Sequence, residues 1–332
     1  MNYKAILLTV FSSALAVFCP QLLGYQYFSF PWYTCLGMVA LSFSRFHGVR
    51  HGIPCPELLY LASSYVGWLL LPTILPASQV WSADELLWRF DANFGYVEVP
   101  LAQLLLNHQV ANVIVHLAYT GLPLVGVIIY LALPNSVALR RKFCIAAGLG
   151  TFVLVFYRIC PAAGPLYLFG RHFPDAVTQM VQPHLRIMGG VALNCAPSGH
   201  VAWALVLWWF TYRYCGWRMR FFAGGFFFLT CLATLGLGEH YVIDLVVAVP
   251  FAAALMASAD REWRAAGGYC LVLVIWLVSL FHGWALQLSH SSVWILCWIT
   301  ISTPWWGRVK GAVREQRFFR SKPSLPEQAA RS

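Results

Sequence analysis

Charge is what this chain has least of. Only 10% of its 332 residues are Asp, Glu, Lys or Arg, against about a quarter in soluble globular proteins. No interval is polar enough to fold as a separate soluble domain, and no internal repeat marks a solenoid. None of the ten cysteines forms a Cys-x-x-Cys pair, which removes the common zinc and thiol-redox motifs. What the chain does have is apolar length: 60% of the residues are hydrophobic. Runs near the ~20 residues that cross a bilayer follow one another almost end to end.

These runs predict an all-α polytopic bundle of about ten membrane helices, near residues 5–24, 29–45, 56–77, 109–133, 143–160, 200–214, 219–237, 241–258, 268–288 and 291–305. Helix is preferred over barrel because the runs are continuous rather than alternating. The net charge of +10 suggests nucleic acid only if position is ignored. The basic residues cluster between apolar runs and in the tail from Arg308 to Arg331, as expected beside anionic lipid. With Lys4 on the cytoplasmic side, all but four of the 22 basic residues fall there too; the exceptions are Arg89, Arg158, Arg171 and Arg186. Both termini are then cytoplasmic. A cleaved signal sequence ending near Ala14-Leu15-Ala16 is the alternative for the first run.

The expected organisation is N-terminal helices over 1–77 and an interfacial amphipathic segment over 78–108, with Trp81 and Trp88 at headgroup depth. A core over 109–258 follows, with an outer loop at 161–199. Two further helices over 259–305 and a basic tail over 306–332 complete the chain. A loop as long as 161–199 in a compact membrane protein is usually functional.

Of the twelve carboxylates, only Asp244 falls well inside a predicted span, with Glu239 at the mouth of the same helix. An ionisable group there is a functional-site candidate by default. The local sequence is Gly238-Glu239-His240-Tyr241-Val242-Ile243-Asp244. A four-residue spacing places His240 and Asp244 on one helix face, so the carboxylate can accept a hydrogen bond from one ring nitrogen and leave the other free to attack. A second element, Ala196-Pro197-Ser198-Gly199-His200, suits a tight turn opening a helix, where unpaired N–H groups favour an anion. The topology brings His200 and His240 to the same, extracytoplasmic side.

Pro-Ser-Gly-His followed by His-x-x-x-Asp resembles the type-2 phosphatidic acid phosphatase superfamily of membrane lipid phosphatases and phosphotransferases. The resemblance covers about residues 150–258. It implies His240 as the nucleophile that becomes phosphohistidine, Asp244 as its orienter and His200 as the general acid, with Ser198 and Gly199 holding phosphate. Two departures stand out. The family's first motif, Lys and Arg-Pro, is replaced by Tyr157-Arg158-Ile159-Cys160-Pro161 through Pro165, whose tyrosine and prolines resemble the inositol-phosphoceramide synthase branch. The arginine of the third motif is replaced by Thr234, preceded by Ala233. Arg158 is the candidate replacement cation, with Tyr157, Arg171 and Arg186 as candidate substrate-loop residues. A site with fewer fixed cations suits a phosphodiester better than a monoester.

The resemblance implies a lipid substrate and no cofactor or metal. Headgroup transfer to an alcohol, hydrolysis of a lipid phosphate or polyprenyl pyrophosphate, and a non-catalytic lipid-binding role remain alternatives. The other histidines read as solvated (His47, His51), packing or interfacial (His116, His282, His290) or loop residues (His172, His184). Cys160 and Cys195 bracket the outer loop; free buried thiols are preferred to a disulfide between them.

Overall fold

The computed structural model describes residues 82–170, 173–175 and 194–304. Those residues are helical, with no strand among them. In chain order the helices are α1 (Asp84–Asp91), α2 (Glu98–Asn107), α3 (Gln109–Thr120), α4 (Leu122–Ala132), α5 (Val137–Leu149), α6 (Val153–Ile159), α7 (Pro165–Phe169), α8 (Gly199–Tyr214), α9 (Trp217–Gly236), α10 (Val242–Ala259) and α11 (Trp263–Phe281). A last helix, α12, runs over 290–304. The three spans expected before residue 78 lie outside the described residues, as does Trp81.

α10 is the centre of the bundle. It packs against α8 and α11 along its length, and against α5 and α1 at its flanks. Its sequence explains the position: Ala248, Ala252, Ala253 and Ala257 are fully buried, and such small residues let neighbouring helices approach closely where lipid offers no hydrophobic driving force. α9 packs on α8 from the far side and carries α2 and α3 on its outer face.

Three helices, α9, α10 and α11, are each long and apolar enough to cross a membrane. The expected span 109–133 is two helices, α3 and α4, bent by 63°. Gly121 and Pro123 supply the reason. Pro123, in the first turn of α4, brings no N–H to continue α3. A Cβ at Gly121 would lie 2.5 Å from the Leu117 carbonyl oxygen, so only glycine fits the corner. The expected span 143–160 is likewise divided, into α5, a 3-10 turn over Gly150–Phe152 and α6. α8, with 16 residues, is about 24 Å long.

Segment 78–108 departs most from its amphipathic reading. α1 opens with Asp84 and Glu85 and closes with Arg89, as the helix dipole favours, and an Arg89–Glu85 pair joins successive turns. Yet Asp84 and Asp91 are buried together with Leu87 and Phe90. Both aspartates point into the protein, and so does Glu98 at the start of α2. At the opposite end of the bundle, Asp260 after α10 takes Lys142 Nζ at 2.8 Å and Arg213 Nη1 at 3.4 Å.

Candidate active site

The site forms where the N-termini of α8 and α10 meet. Ser198 caps α8, its Oγ accepting from Val201 N–H at 3.4 Å, the serine capping that the Pro-Ser-Gly sequence suggests. The Ser198 N–H in turn donates to the Asp244 carbonyl at 3.2 Å, which ties the two motifs together through the backbone. Gly199 is buried, and a Cβ there would stand 3.0 Å from the Tyr157 hydroxyl. Tyr157 is buried on helix α6 rather than lying in a loop. Arg158, on the last turn of the same helix, is exposed. Arg171, Arg186, His172 and His184 lie outside the described residues.

His240 sits in the tight connection between α9 and α10. Thr234 shapes that connection: its carbonyl accepts both Glu239 N–H at 3.2 Å and His240 N–H at 3.1 Å, and the threonine itself is fully buried. At this position the chain uses a backbone acceptor to fold the turn. Gly238, at φ +71°, permits the reversal.

His240 Nδ1 lies 3.5 Å from Asp244 Oδ2. The two side chains are neighbours, but not on one helix face as the four-residue spacing predicts: His240 precedes the first turn of α10, and the distance is longer than a formed N–H···O bond. Asp244 Oδ2 is occupied instead by Tyr241 N–H at 2.8 Å and the Cys195 thiol at 2.7 Å, while Oδ1 has no partner. Nδ1 faces the carboxylate, so Nε2 is the ring nitrogen turned away from it. Histidine–carboxylate contacts of this kind commonly tighten when substrate binds. His200, buried in the first turn of α8, stacks on Tyr119 with ring centroids 4.0 Å apart and planes inclined by 17°. Tyr119 reaches it because α3 ends at the Gly121 corner.

Several groups at the site carry no motif. Cys195 and Cys160 are free buried thiols, and Cys195 also stands 3.5 Å from His240 Nδ1. Burial, reinforced by the Asp244 charge, pushes the Cys195 thiol well up, so it is a protonated donor to that carboxylate. Asp84 accepts from Ala163 N–H, from Gly164 N–H at 2.8 Å and from the Tyr241 hydroxyl at 2.8 Å. It thereby fixes the turn after α6 to the residue beside His240. Burial still raises its pKa against those donors. Asp91 receives the N–H groups of Val242 and, at 3.2 Å, Ile243. Burial, then the nearby Glu98 charge, holds the Asp91 carboxyl well above the usual range. Burial lifts Glu98 to about 7, and both of its carboxylate oxygens are buried without partners. Burial also raises Glu239.

Helical periodicity assigns the α1 aspartates to a water-facing side. Only long-range packing shows them turned to α10, and no local signal could have found them.

Cys195, His240 and Asp244 each offer a ligand atom within 4.8 Å of the others, a donor set that zinc accepts. Motif spacing in the sequence does not bring Cys195 to this pair. The Sγ–Oδ2 separation of 2.7 Å is that of a hydrogen-bonded cluster.

No curated relative and no solved structure matches the chain. A family model, described as the PAP2 superfamily, matches residues 85–258, just over half of the 332 residues. The match reaches some sixty residues further toward the N-terminus than the motifs do, and takes in all of α1 except Asp84. A match over more than half of the chain, with the His240–Asp244 pair set beside the α8 N-terminus, means that this chain belongs to the PAP2 superfamily, whose chemistry is of the phosphatase or phosphotransferase type.

Proposed function

We propose that the protein is a membrane-embedded phosphoryl-transfer enzyme that acts on lipid phosphate or phosphodiester headgroups through a phosphohistidine, with the site on the extracytoplasmic face. The observation that carries this reading is the convergence of His240 Nδ1 and Asp244 Oδ2 at 3.5 Å, beside the α8 N-terminus that bears Ser198 and His200. A histidine held against a buried carboxylate, beside the positive end of a helix dipole, suits a nucleophile and an anionic electrophile.

In the first step His240 Nε2 forms a bond to phosphorus as the bond to the leaving oxygen breaks, and His200 gives that oxygen its proton. Asp244 holds Nδ1 and stabilises the positive charge that develops on the ring. Ser198 and Gly199 contribute donors to the phosphoryl oxygens. In the second step an acceptor hydroxyl attacks phosphorus, returns a proton to His200 and releases His240. The acceptor is a lipid alcohol in the transferase and water in the hydrolase.

Transfer is the favoured version, as in the inositol-phosphoceramide synthase branch that the first motif resembles. Among the described residues, the charged side chains buried around the dyad are the carboxylates Asp84, Asp91 and Glu98, and Arg158 is exposed. Surroundings without a buried cation beside the dyad among the described residues suit a singly charged phosphodiester better than a doubly charged monoester.

Purified protein is to be incubated with radiolabelled phosphatidic acid or labelled phospholipid, with and without a long-chain alcohol. Transfer predicts a labelled headgroup on the alcohol; inorganic phosphate from phosphatidic acid alone would instead establish the hydrolase. His240→Ala should abolish both, and a variant as active as the native protein would remove the phosphohistidine.

A further inference from the structure

The N-terminus of α10 poses an accounting problem. The first amides of a helix have no intrahelical acceptor, and when buried each must find one. Usually the residue preceding the helix supplies a short side-chain oxygen. Here that residue is Tyr241, whose hydroxyl is engaged by Asp84. The Asp244 amide closes on the Tyr241 carbonyl at 3.1 Å. The two remaining groups, Val242 N–H and Ile243 N–H, are both taken by Asp91 from 151 and 152 residues away.

Asp91 is fully buried, and so are Tyr241, Ile243 and Asp244. The contact is therefore a fixed part of the interior. It lies between the two members of the dyad in sequence: His240 precedes the capped amides by two residues and Asp244 follows them by one. The direction of the first turn of α10 decides how Asp244 meets His240.

We propose that Asp91 is a positioning residue for the reaction, a helix cap supplied in trans that sets the placement of Asp244 against His240. Asp84 acts beside it on the Tyr241 hydroxyl and on the turn at Ala163 and Gly164. The first helix of the described fold thus holds the nucleophile's support from outside both motifs. The role rests on the phosphoryl-transfer reading of the site, but the capping contact can be measured without it.

The test uses the full chain in phospholipid nanodiscs and compares the native protein with Asp91→Ala and Asp91→Asn. Hydrogen exchange at Val242 and Ile243, turnover of phosphatidic acid or phospholipid, and thermal unfolding are read on each. Asp91→Ala should lose exchange protection at those two amides. A displacement of about 1 Å in a reacting group costs on the order of 100-fold in rate, so kcat should fall by about that factor with KM changed by less than about threefold. Asp91→Asn keeps one acceptor and should fall between the two. Unchanged protection at Val242 and Ile243 would overturn the proposal even if the native protein proved inactive on these lipids. So would loss of activity that merely follows the folded fraction. If Asp91→Ala does not fold, the same criteria apply to Asp91→Asn.

Discussion

Glu98 offers the sharpest physical test of this interior. Its carboxyl is buried, both oxygens lack partners, and burial lifts its pKa from 4.5 to about 7. Below pH 4.5 the group is neutral in folded and unfolded chains alike and contributes no pH dependence. Between pH 4.5 and 7 the unfolded chain releases the proton while the folded protein holds it, so stability falls by about 1.4 kcal/mol per pH unit. Above pH 7 both states are ionised and the loss levels off at about 3 kcal/mol. Glu98→Gln keeps the shape and removes the titration. Thermal unfolding of both proteins in nanodiscs from pH 4 to 8.5 should therefore give melting temperatures that agree at the acid end. They should separate through pH 5–7, with the variant higher by on the order of 6 °C at pH 8. A gap that stayed constant across the whole range would show that the Glu98 carboxyl does not ionise against burial, and would refute the reasoning.

Two further outcomes follow from close contacts elsewhere. Gly164 holds φ +106°, and a Cβ there would stand 2.5 Å from the Glu239 carbonyl oxygen. Gly164→Ala should cost about 2–4 kcal/mol from strain and overpacking and lower turnover by shifting the His240 turn. Gly170→Ala, at φ +58° with nothing within 4 Å of its Cβ, is the control, and equal losses in activity would remove the close approach as the cause. At the other end of the bundle, Asp260→Asn removes the acceptor shared by Lys142 and Arg213. It should lower stability by about 2 kcal/mol, less in high salt, while turnover per folded molecule stays unchanged.

The helical class and the nearness of His240 to Asp244 could be read from residues a few positions apart, but not that His240 lies before the first turn of α10 rather than on its face. The serine cap of α8 was legible for the same reason. The corner at Gly121 had its signal too, a glycine two residues before Pro123, but continuous apolar character masked it. Asp84, Asp91 and Glu98 were not legible. Amphipathic reading assigns charges to water, but Asp84 and Asp91 take backbone amides more than seventy residues away, and Glu98 is buried with no partner for its oxygens. Cys195 escaped for a related reason: a thiol beside a carboxylate is visible only once the chain has folded back through the Cys195 N–H bond to the Ala162 carbonyl. Arg158, the cation of the first motif, has an exposed side chain, and the interior is lined by carboxylates that no motif marks.

The distance along the chain between Asp91 and Val242, 151 residues, also places the site in time. At translation rates of about 5–20 residues per second, α1 exists for roughly 8–30 s before the amides it caps have been made. Throughout that interval the two aspartates have no helix to serve, and their carboxylates favour water over the apolar interior. Docking of α1 is therefore complete only after the start of α10 emerges, so the candidate site assembles late in biogenesis. A chain interrupted before residue 242 would carry the Pro-Ser-Gly-His motif and His240 but no working site, and α1 would remain accessible to a protease that the finished protein excludes.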